Sequence, residues 1–191
     1  MDLSFDALKD DYTADLANMT PISAQQKQAQ AVAQKLLADK ARFMAVQTGC
    51  GVPALWLMPV FEREGPSFSD YFGNGDPLDK KTTDVPRGRG PFETWEAGCI
   101  DALTLDDVTK CAEWTWEAAC WEWEKWNGFG PREHGRPSGY LWSGTSVYKG
   151  GKYIADGVWS AGTWDQQLGT ILIAKVLAAM DSELAAGFVA N

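Results

Sequence analysis

The stretch ALWLMPVFERE, residues 54–64, is apolar nearly all round and ends in charged residues. A helix that is apolar on every side belongs at the centre of a domain, covered by other elements. Pro59 within it removes one backbone hydrogen bond and is expected to kink the helix. The sequence therefore predicts a buried central helix whose last turn carries Glu62 and Glu64 to an open end.

The residues after this helix, up to Phe92, are rich in glycine, proline, threonine and arginine. A long irregular segment inside a compact domain is usually functional or disordered, and the aromatic residues at 68, 71 and 72 argue against disorder. Asn74-Gly75-Asp76-Pro77 is the strongest turn pattern of the chain and favours a small hairpin there. We therefore expect the functional site at this segment.

Five further helices are predicted from apolar residues at three- and four-residue steps or from capping residues. They cover residues 3–18, 23 to about 47 with Ser23 and Gln26 as a capping box, 93–103, about 107–126 with Asp106 or Asp107 as the cap, and about 163–186 with Thr163 and Gln166 as the cap. Residues 127–162 form a glycine-rich aromatic loop region. The predicted fold class is mainly α (α+β), a single domain over residues 1–191 with a small β-hairpin insertion after the central helix.

Composition limits the classes of partner. The 191 residues are 45% hydrophobic, and no apolar run approaches the roughly 18 residues needed to span a bilayer. The formal charge of -9 disfavours nucleic acid and acidic membranes as partners, because both would repel the chain. The N-terminus lacks the basic start and apolar stretch of a secretion signal, which predicts synthesis in the cytoplasm without a signal peptide.

Cysteine and histidine usage predicts no metal site and no cofactor. The four cysteines lack metal-binding spacing, and His134 is the only histidine. Cys99, Cys111 and Cys120 fall in apolar helical patterns, which is typical of buried thiols.

Glu62 and Glu64 are the candidate general acids. A carboxyl group at the end of an apolar helix prefers the protonated form unless it has a partner, and a protonated carboxyl can donate to a leaving group. Two residues apart on a helix, the two side chains point in different directions, so only one should face a cleft. The competing interpretation is a solvated Glu-Arg-Glu helix end.

Asp76 and Thr82 follow in an order that suits glycoside cleavage. Two-carboxylate glycosidases need a protonated acid on the leaving oxygen and an ionised group that stabilises the sugar cation or activates water. A threonine hydroxyl can hold that water. Alternatively, Asp76 caps its own turn and Thr82 is a strand residue.

Aromatic and basic residues supply candidate sugar contacts. The seam of Trp116, Trp123 and Trp126 on one helix is typical of core, whereas Trp142 and Tyr148 in the late loops are better cleft candidates. Arg87 is a candidate for contacts with acidic or acetamido groups of a glycan, with a solvated loop arginine as the alternative.

Several motifs together are similar to a family of lysozyme-like proteins of bacteriophages and cyanobacteria, over about residues 41–164, with residues 1–24 as an N-terminal helical extension. The motifs are ERE at 62–64, Phe68, GNGDPL at 73–78, Thr82, VPRGRGPF at 85–92, WEAG at 95–98, DAL at 101–103, WNGFG at 126–130, YLWS at 140–143 and GKYIADG at 151–157. The resemblance implies a lysozyme-superfamily fold, with a small hairpin after the catalytic helix, and activity on peptidoglycan.

The same resemblance assigns roles to individual residues. It places Glu64 at the position of the catalytic glutamate, and Asp76 and Thr82 as the second and third members of a glutamate–aspartate–threonine set. Asn127 with Gly128 resembles a turn that lines the sugar cleft in goose-type lysozymes and lytic transglycosylases. The implied partner is the glycan strand of peptidoglycan.

The leading hypothesis is a phage peptidoglycan hydrolase, an endolysin or virion-associated lysin, that cleaves between N-acetylmuramic acid and N-acetylglucosamine. A lytic transglycosylase of the same fold is one alternative. Pro59 and Gly65-Pro66 beside the site motivate another, an inactive structural or binding component of a phage particle. The enzyme would act on the periplasmic or cell-wall peptidoglycan, and its negative charge favours delivery by other virion proteins, because walls are anionic.

Overall fold

Helix α4 (Ala54–Arg63) is the central element, as predicted. Its residues from Ala54 to Phe61 are all buried, including Pro59 inside the helix. It packs against α3 (Lys40–Cys50) and α9 (Thr170–Met180), another largely apolar helix. Burial on every side leaves only the last turn of α4 in contact with solvent.

The computed structural model describes residues 1–189, which are mainly helical with one small two-stranded antiparallel sheet. The remaining helices are α1 (Phe5–Asn18), α2 (Ser23–Ala38), α5 (Trp95–Leu105), α6 (Trp116–Asn127), α7 (Gly130–Glu133), α8 (Gly139–Trp142) and α10 (Ser182–Ala185), and a 3-10 turn covers Val108–Lys110. The strands are β1 (Lys152–Ala155) and β2 (Val158–Ser160). The mainly α prediction is thereby confirmed.

The predicted long helix from residue 23 is wrong in its length, because Asp39 separates α2 from α3. Helix α2 packs against α9, whereas α3 packs against α5 and α4, so the chain has to change direction between them. The predicted capping box is also wrong. Ile22 precedes the helix and Ser23 is its first residue, with no side-chain cap.

The predicted hairpin after the central helix is wrong. Within residues 64–94 the structure has turns and one isolated bridge, between Asp70 and Pro77. The hairpin is instead β1–β2, with Tyr153 opposite Trp159. Its turn contains Asp156-Gly157, the type of dipeptide that favours a hairpin between apolar residues, and this pattern was available in the sequence.

The segment 64–94 is held against α5 by close packing. A Cβ atom on Gly98 of α5 would lie 2.8 Å from Leu78 Cδ2, so only glycine lets this side chain approach. The Phe92 amide also donates to the Leu78 carbonyl at 2.8 Å. The irregular segment therefore has a fixed position against α5.

Two later helices begin after the predicted residues. Helix α6 begins at Trp116, where the Thr115 side chain accepts a hydrogen bond from the Ala118 amide. Helix α9 begins at Thr170, and the Thr163 hydroxyl, predicted as its cap, instead lies 2.7 Å from Ser160 Oγ at the base of the hairpin.

Of the cysteines predicted to be buried, Cys99 and Cys120 are buried and Cys111 is half-buried, and all are free thiols. No individual helix within residues 1–189 has the length and apolar character to cross a membrane; only α3 with α4, taken together across a 120° bend, meets that test by length and composition.

Candidate functional site

Glu64 caps the C-terminal end of α4 and is exposed at the mouth of a cleft. Its Oε1 accepts hydrogen bonds from the Tyr140 hydroxyl at 2.8 Å and from Trp126 Nε1 at 3.2 Å. Its Oε2 has no hydrogen-bond partner among residues 1–189. Burial, and then the charge of Glu64, raise the pKa of Tyr140 far above its ordinary value, so the hydroxyl stays protonated and donates.

The Glu64 cleft has a volume of about 300 Å³. Four parts of the chain form it besides Glu64: residues 71–73, residues 85–86, the end of α5 at 102 and 105–106, and the end of α6 at 126–127. No lysine or arginine from the described part of the chain lines it. The cleft therefore offers aromatic surface, one amide and two carboxyl groups to a ligand.

Asp106 is the second carboxyl group in this cleft. Its side chain is exposed and forms no hydrogen bond or ion pair with any residue that the structure describes. Partial burial raises its pKa, although the nearby charge of Lys125 opposes this. The sequence does not mark Asp106 as a cleft residue, because its position between two predicted helices indicates a cap for the second one.

Asp76 lies outside the Glu64 cleft and caps its turn, so the catalytic interpretation of Asp76 has no support from its position. Its carboxylate accepts hydrogen bonds from the Asp84 amide at 2.9 Å, the Thr83 amide at 2.8 Å and the Thr83 hydroxyl at 3.0 Å. These bonds, the one from Asp84 first, lower the pKa of Asp76. The residues that follow, Val85 and Pro86, line the cleft, so Asp76 positions its wall.

Thr82 is buried and also does not face the cleft. Its hydroxyl donates to the Pro86 carbonyl and accepts from the Arg89 amide at 3.0 Å. A hydroxyl engaged in this way holds the loop of residues 82–89 together. The predicted role of Thr82 in positioning water is therefore not supported by the geometry.

The two predicted aromatic cleft residues are core residues. Trp142 is 1% exposed, and Tyr148 is 3% exposed, with its hydroxyl donating to the Gly151 carbonyl at 3.0 Å. Trp126, predicted as core, is half-buried and contacts Glu64. Trp123 is fully buried, as predicted, and Trp116 is half-buried. Helical spacing alone did not separate the tryptophan at the open end of α6 from its buried neighbours.

Asn127 is exposed and lines the Glu64 cleft, which agrees with the position predicted for it. Arg87 is exposed and lines neither this cleft nor the cavity described below. It corresponds to the solvated loop arginine of the alternative interpretation.

Glu62 faces away from the Glu64 cleft. Its Oε2 lies 3.6 Å from Lys35 Nζ, and it lines a separate depression with Gln28 and Val32 of α2. Of the two candidate acids, only Glu64 opens onto the cleft.

A second depression, the Arg63 cavity, adjoins the Glu64 cleft at Asn127 and Tyr140 and also has a volume of about 300 Å³. It is lined by Arg63, Asn127, Pro131, residues 138–140, residues 151–153 and Asp165. Arg63 and Asp165 form a buried ion pair at 2.8 Å in its floor. Although burial opposes ionisation, the charge of Arg63 keeps the pKa of Asp165 below its ordinary value.

Residues 1–189 contain no group of three or more histidine, cysteine, aspartate or glutamate side chains placed to hold a metal ion. In comparisons with known proteins, no family model, no curated protein and no solved structure matches the chain.

Proposed function

We propose that the chain cleaves the glycan strand of peptidoglycan, between N-acetylmuramic acid and N-acetylglucosamine, with Glu64 as the general acid, and that it belongs with the lysozyme-like proteins it resembles. One observation carries the proposal. The Glu64 carboxyl group ends a buried helix, receives two uncharged donors on Oε1 and presents a free Oε2 at an open cleft. A proton on Oε2 can pass to the leaving glycosidic oxygen while Oε1 stays fixed.

The cleft also suits the positive charge that develops on the cleaved sugar. Glu64, after it has lost its proton, and Asp106 are both anionic, and no cation lines the cleft within the described chain to compete with them. Preformed negative charge beside a sugar cation stabilises the transition state. We assign this electrostatic role to Asp106 in place of Asp76.

A lytic transglycosylase is the second candidate, and a specific observation favours it. The Thr82 hydroxyl and the Asp76 carboxylate are both engaged in hydrogen bonds inside their own loop. Neither is placed to activate a water molecule. In the transglycosylase reaction the 6-hydroxyl of the muramoyl sugar attacks its own C1, and no water is required.

The proposed site of action is wall peptidoglycan. The formal charge of -9 would slow the approach of a free enzyme to an anionic wall. Delivery by a phage particle, with other virion proteins as partners, is part of the proposal for this reason.

The test is release of soluble fragments from purified peptidoglycan by the wild type and by Glu64→Gln, with the products weighed by mass spectrometry. We expect release by the wild type and none by the variant. Reducing ends identify a hydrolase, and anhydro ends identify a transglycosylase. If walls from several hosts yield no fragments with the wild type, the enzymatic proposal fails and a structural component of a phage particle takes its place.

A further inference from the structure

Another depression, the Phe5 cavity, lies between the N-terminal helix α1 and the first turns of α6. Its lining includes Phe5 and Lys9 of α1, residues 111–113 of the segment before α6, and Trp121 and Glu122 of α6. It shares no lining residue with the Glu64 cleft or the Arg63 cavity. Its volume of about 310 Å³ is at the lower end of the range for ligand pockets, so it can take one long side chain.

Two aromatic rings supply the apolar surface of the Phe5 cavity. The ring centroids of Phe5 and Trp121 lie 6.4 Å apart in an edge-to-face arrangement, and Trp121 is held in place because its Nε1 donates to the Leu3 carbonyl at 2.9 Å. Lys9 Nζ lies 6.0 Å from the Phe5 ring centroid, and Lys125 Nζ lies 5.1 Å from that of Trp121. Aromatic faces attract cations and stack on guanidinium planes. These walls therefore suit an apolar stem that ends in a cation.

Glu122 places a buried carboxylate with one free oxygen in this cavity. Its side chain is 5% exposed, and its Oε2 accepts a hydrogen bond from Lys125 Nζ at 2.9 Å. Its Oε1 accepts no hydrogen bond within residues 1–189 and is not among the enclosed unpaired atoms of the fold, so it keeps accessible surface. Buried carboxylate oxygens are normally paired, which indicates a ligand that donates to Oε1.

The charge around the cavity favours a cationic ligand. Glu113 is exposed, and its carboxylate forms no hydrogen bond or ion pair with any residue that the structure describes. Lys9 is the one cation that lines the cavity within the described part of the chain, against the two carboxylates of Glu113 and Glu122. Lys125, outside the lining, occupies only Oε2 of Glu122. The formal charge of -9 also attracts basic partners to the chain as a whole.

The backbone beside Glu113 can bind a peptide. The amides of Ala112 and Glu113 donate no hydrogen bond within residues 1–189, and both residues are exposed. Unpaired amides at an exposed backbone can donate to the carbonyl oxygens of an incoming chain. A protein segment therefore fits this place better than a free amine.

We propose that the Phe5 cavity is a docking site for a basic segment of a partner protein, whose arginine side chain lies against Phe5 and Trp121 and donates to Glu122 Oε1, with Glu113 as a second charge contact. Arginine fits better than lysine, because its planar guanidinium stacks on a ring while its edge donates several hydrogen bonds. The inference goes beyond the proposed function and does not depend on it, since no residue of the Glu64 cleft takes part.

The test is an amide-resolved NMR titration of the full chain with three probes. They are acetyl-Gly-Arg-Gly-amide, the same tripeptide with the neutral isostere citrulline in place of arginine, and butylguanidinium, which is the arginine side chain without a peptide. We expect the arginine peptide to shift the amides of residues 111–113 and 121–122. It should bind about tenfold more tightly than the citrulline peptide, because the hydrogen bond between charged groups is lost in the latter.

Three results would overturn the inference. The first is the absence of any shift at these amides, and the second is equal binding of the arginine and citrulline peptides. The third is binding of butylguanidinium as tight as that of the arginine peptide, which would identify a small organic cation as the occupant.

Glu122→Gln keeps the shape of the side chain and removes its charge. We expect it to weaken binding of the arginine peptide by about tenfold and to leave binding of the citrulline peptide unchanged. Glu93→Gln is the matched control, because Glu93 is exposed and lies outside the cavity. Equal binding of the arginine peptide by Glu122→Gln and wild type would remove Glu122 as its contact.

Two exposed positions keep the test decisive if Glu122→Gln is unstable. Glu113→Gln should weaken binding of the arginine peptide by about threefold, as expected for an exposed ion pair. Lys9→Met should tighten it by about twofold, because a like charge is removed while the stem beside Phe5 is kept. Changes of the same sign in the two variants would contradict the charge assignment.

Discussion

Arg63 and Glu64 are adjacent in sequence, at the end of the same helix, yet their charged groups lie in opposite environments. Arg63 is buried and paired with a full charge, Asp165, at 2.8 Å. Glu64 is exposed, and its hydrogen-bond partners are the uncharged donors Tyr140 and Trp126. Tyr140 joins the two arrangements, because its ring stacks under the Arg63 guanidinium at 4.6 Å while its hydroxyl holds Glu64.

The ion pair and the exposed carboxyl group serve different purposes at the same helix end. A buried ion pair is costly to break and therefore fixes the chain around it. Neutral donors orient a carboxyl group without pairing it with a cation. Substitutions on the Glu64 side should therefore change activity, and substitutions on the Arg63 side should change stability.

The largest expected effect is that of Glu64→Gln on cleavage. We expect glycan cleavage to fall by about 10²- to 10⁴-fold, the usual contribution of a general acid, with the free energy of unfolding nearly unchanged because the side chain is exposed. Fragment release and urea unfolding measure the two quantities. Glu62→Gln is the matched control and should retain activity, since Glu62 faces α2; equal losses in both variants would contradict the assignment.

Asp165→Asn should have the opposite effects, a lower free energy of unfolding with little change in cleavage. It leaves the Arg63 charge buried without its partner, which should lower the free energy of unfolding by about 3 kcal/mol at pH 7. The pKa of Asp165 is depressed in the fold, so its stabilisation is present above about pH 4 and is lost as pH falls through the folded-state value. The difference in free energy of unfolding between wild type and variant should therefore become smaller in acid.

Urea unfolding at pH 7 and pH 3 measures that gap. Asp156→Asn, at the exposed turn of the hairpin, is the control and should be close to neutral at both values. A gap that stays constant with pH would show that the stability of the fold does not depend on the ionised pair.

Asp106→Asn tests the electrostatic role assigned to the Asp106 carboxylate. We expect cleavage to fall by about ten- to a hundredfold, because a fixed negative charge beside the sugar cation is lost. Burial raises the pKa of Asp106, so the ionised form opposes folding above that pKa, and the variant should be slightly more stable at pH 7.

The neighbouring Asp107→Asn separates this effect from a general loss of negative charge. Asp107 adopts a left-handed backbone conformation that asparagine tolerates, and it pairs with Lys110 outside the cleft. Fragment release should be unaffected in Asp107→Asn. Comparable losses in the two variants would show that Asp106 has no special role.

The smallest expected effect is that of Tyr140→Phe, which keeps the ring against Arg63 and removes one donor to Glu64. We expect the free energy of unfolding to fall by about 1 kcal/mol, which is typical of one hydrogen bond. The rate of cleavage should fall by about fivefold, which corresponds to the same free energy. Thermal unfolding and initial rates on peptidoglycan measure both. A loss as large as that in Glu64→Gln would mean that Tyr140 itself takes part in proton transfer.

The sequence was sufficient where one local pattern determined the outcome. The uninterrupted apolar run at 54–61 predicted the buried central helix, because no other placement avoids exposing it. The position of Glu64 at the end of that run followed directly. The place of Asn127 beside the cleft came from the resemblance.

The sequence was insufficient where tertiary contacts chose between local alternatives. Asp76 and Thr82 had the right order for a catalytic set, but their hydrogen bonds close a loop that only the folded segment reveals. Asp106 reaches the cleft because α5 ends there, and no spacing in the sequence relates it to Glu64. Trp142, predicted to line a cleft, is buried, and Trp126, predicted to lie in the core, is half-buried. The exposure of each depends on which helix end is covered.

The contact between α1 and α6 connects the N-terminal helix to the wall of the Arg63 cavity. Tyr12 of α1 donates to Glu124 at 2.6 Å, and Arg132 bonds the same carboxylate at 2.9 Å and approaches Asp11 of α1 at 3.3 Å. The residue before Arg132, Pro131, forms part of the wall of the Arg63 cavity. The first helix thus supports that wall, and a shortened chain lacking it would loosen the side of the Arg63 cavity formed by Pro131.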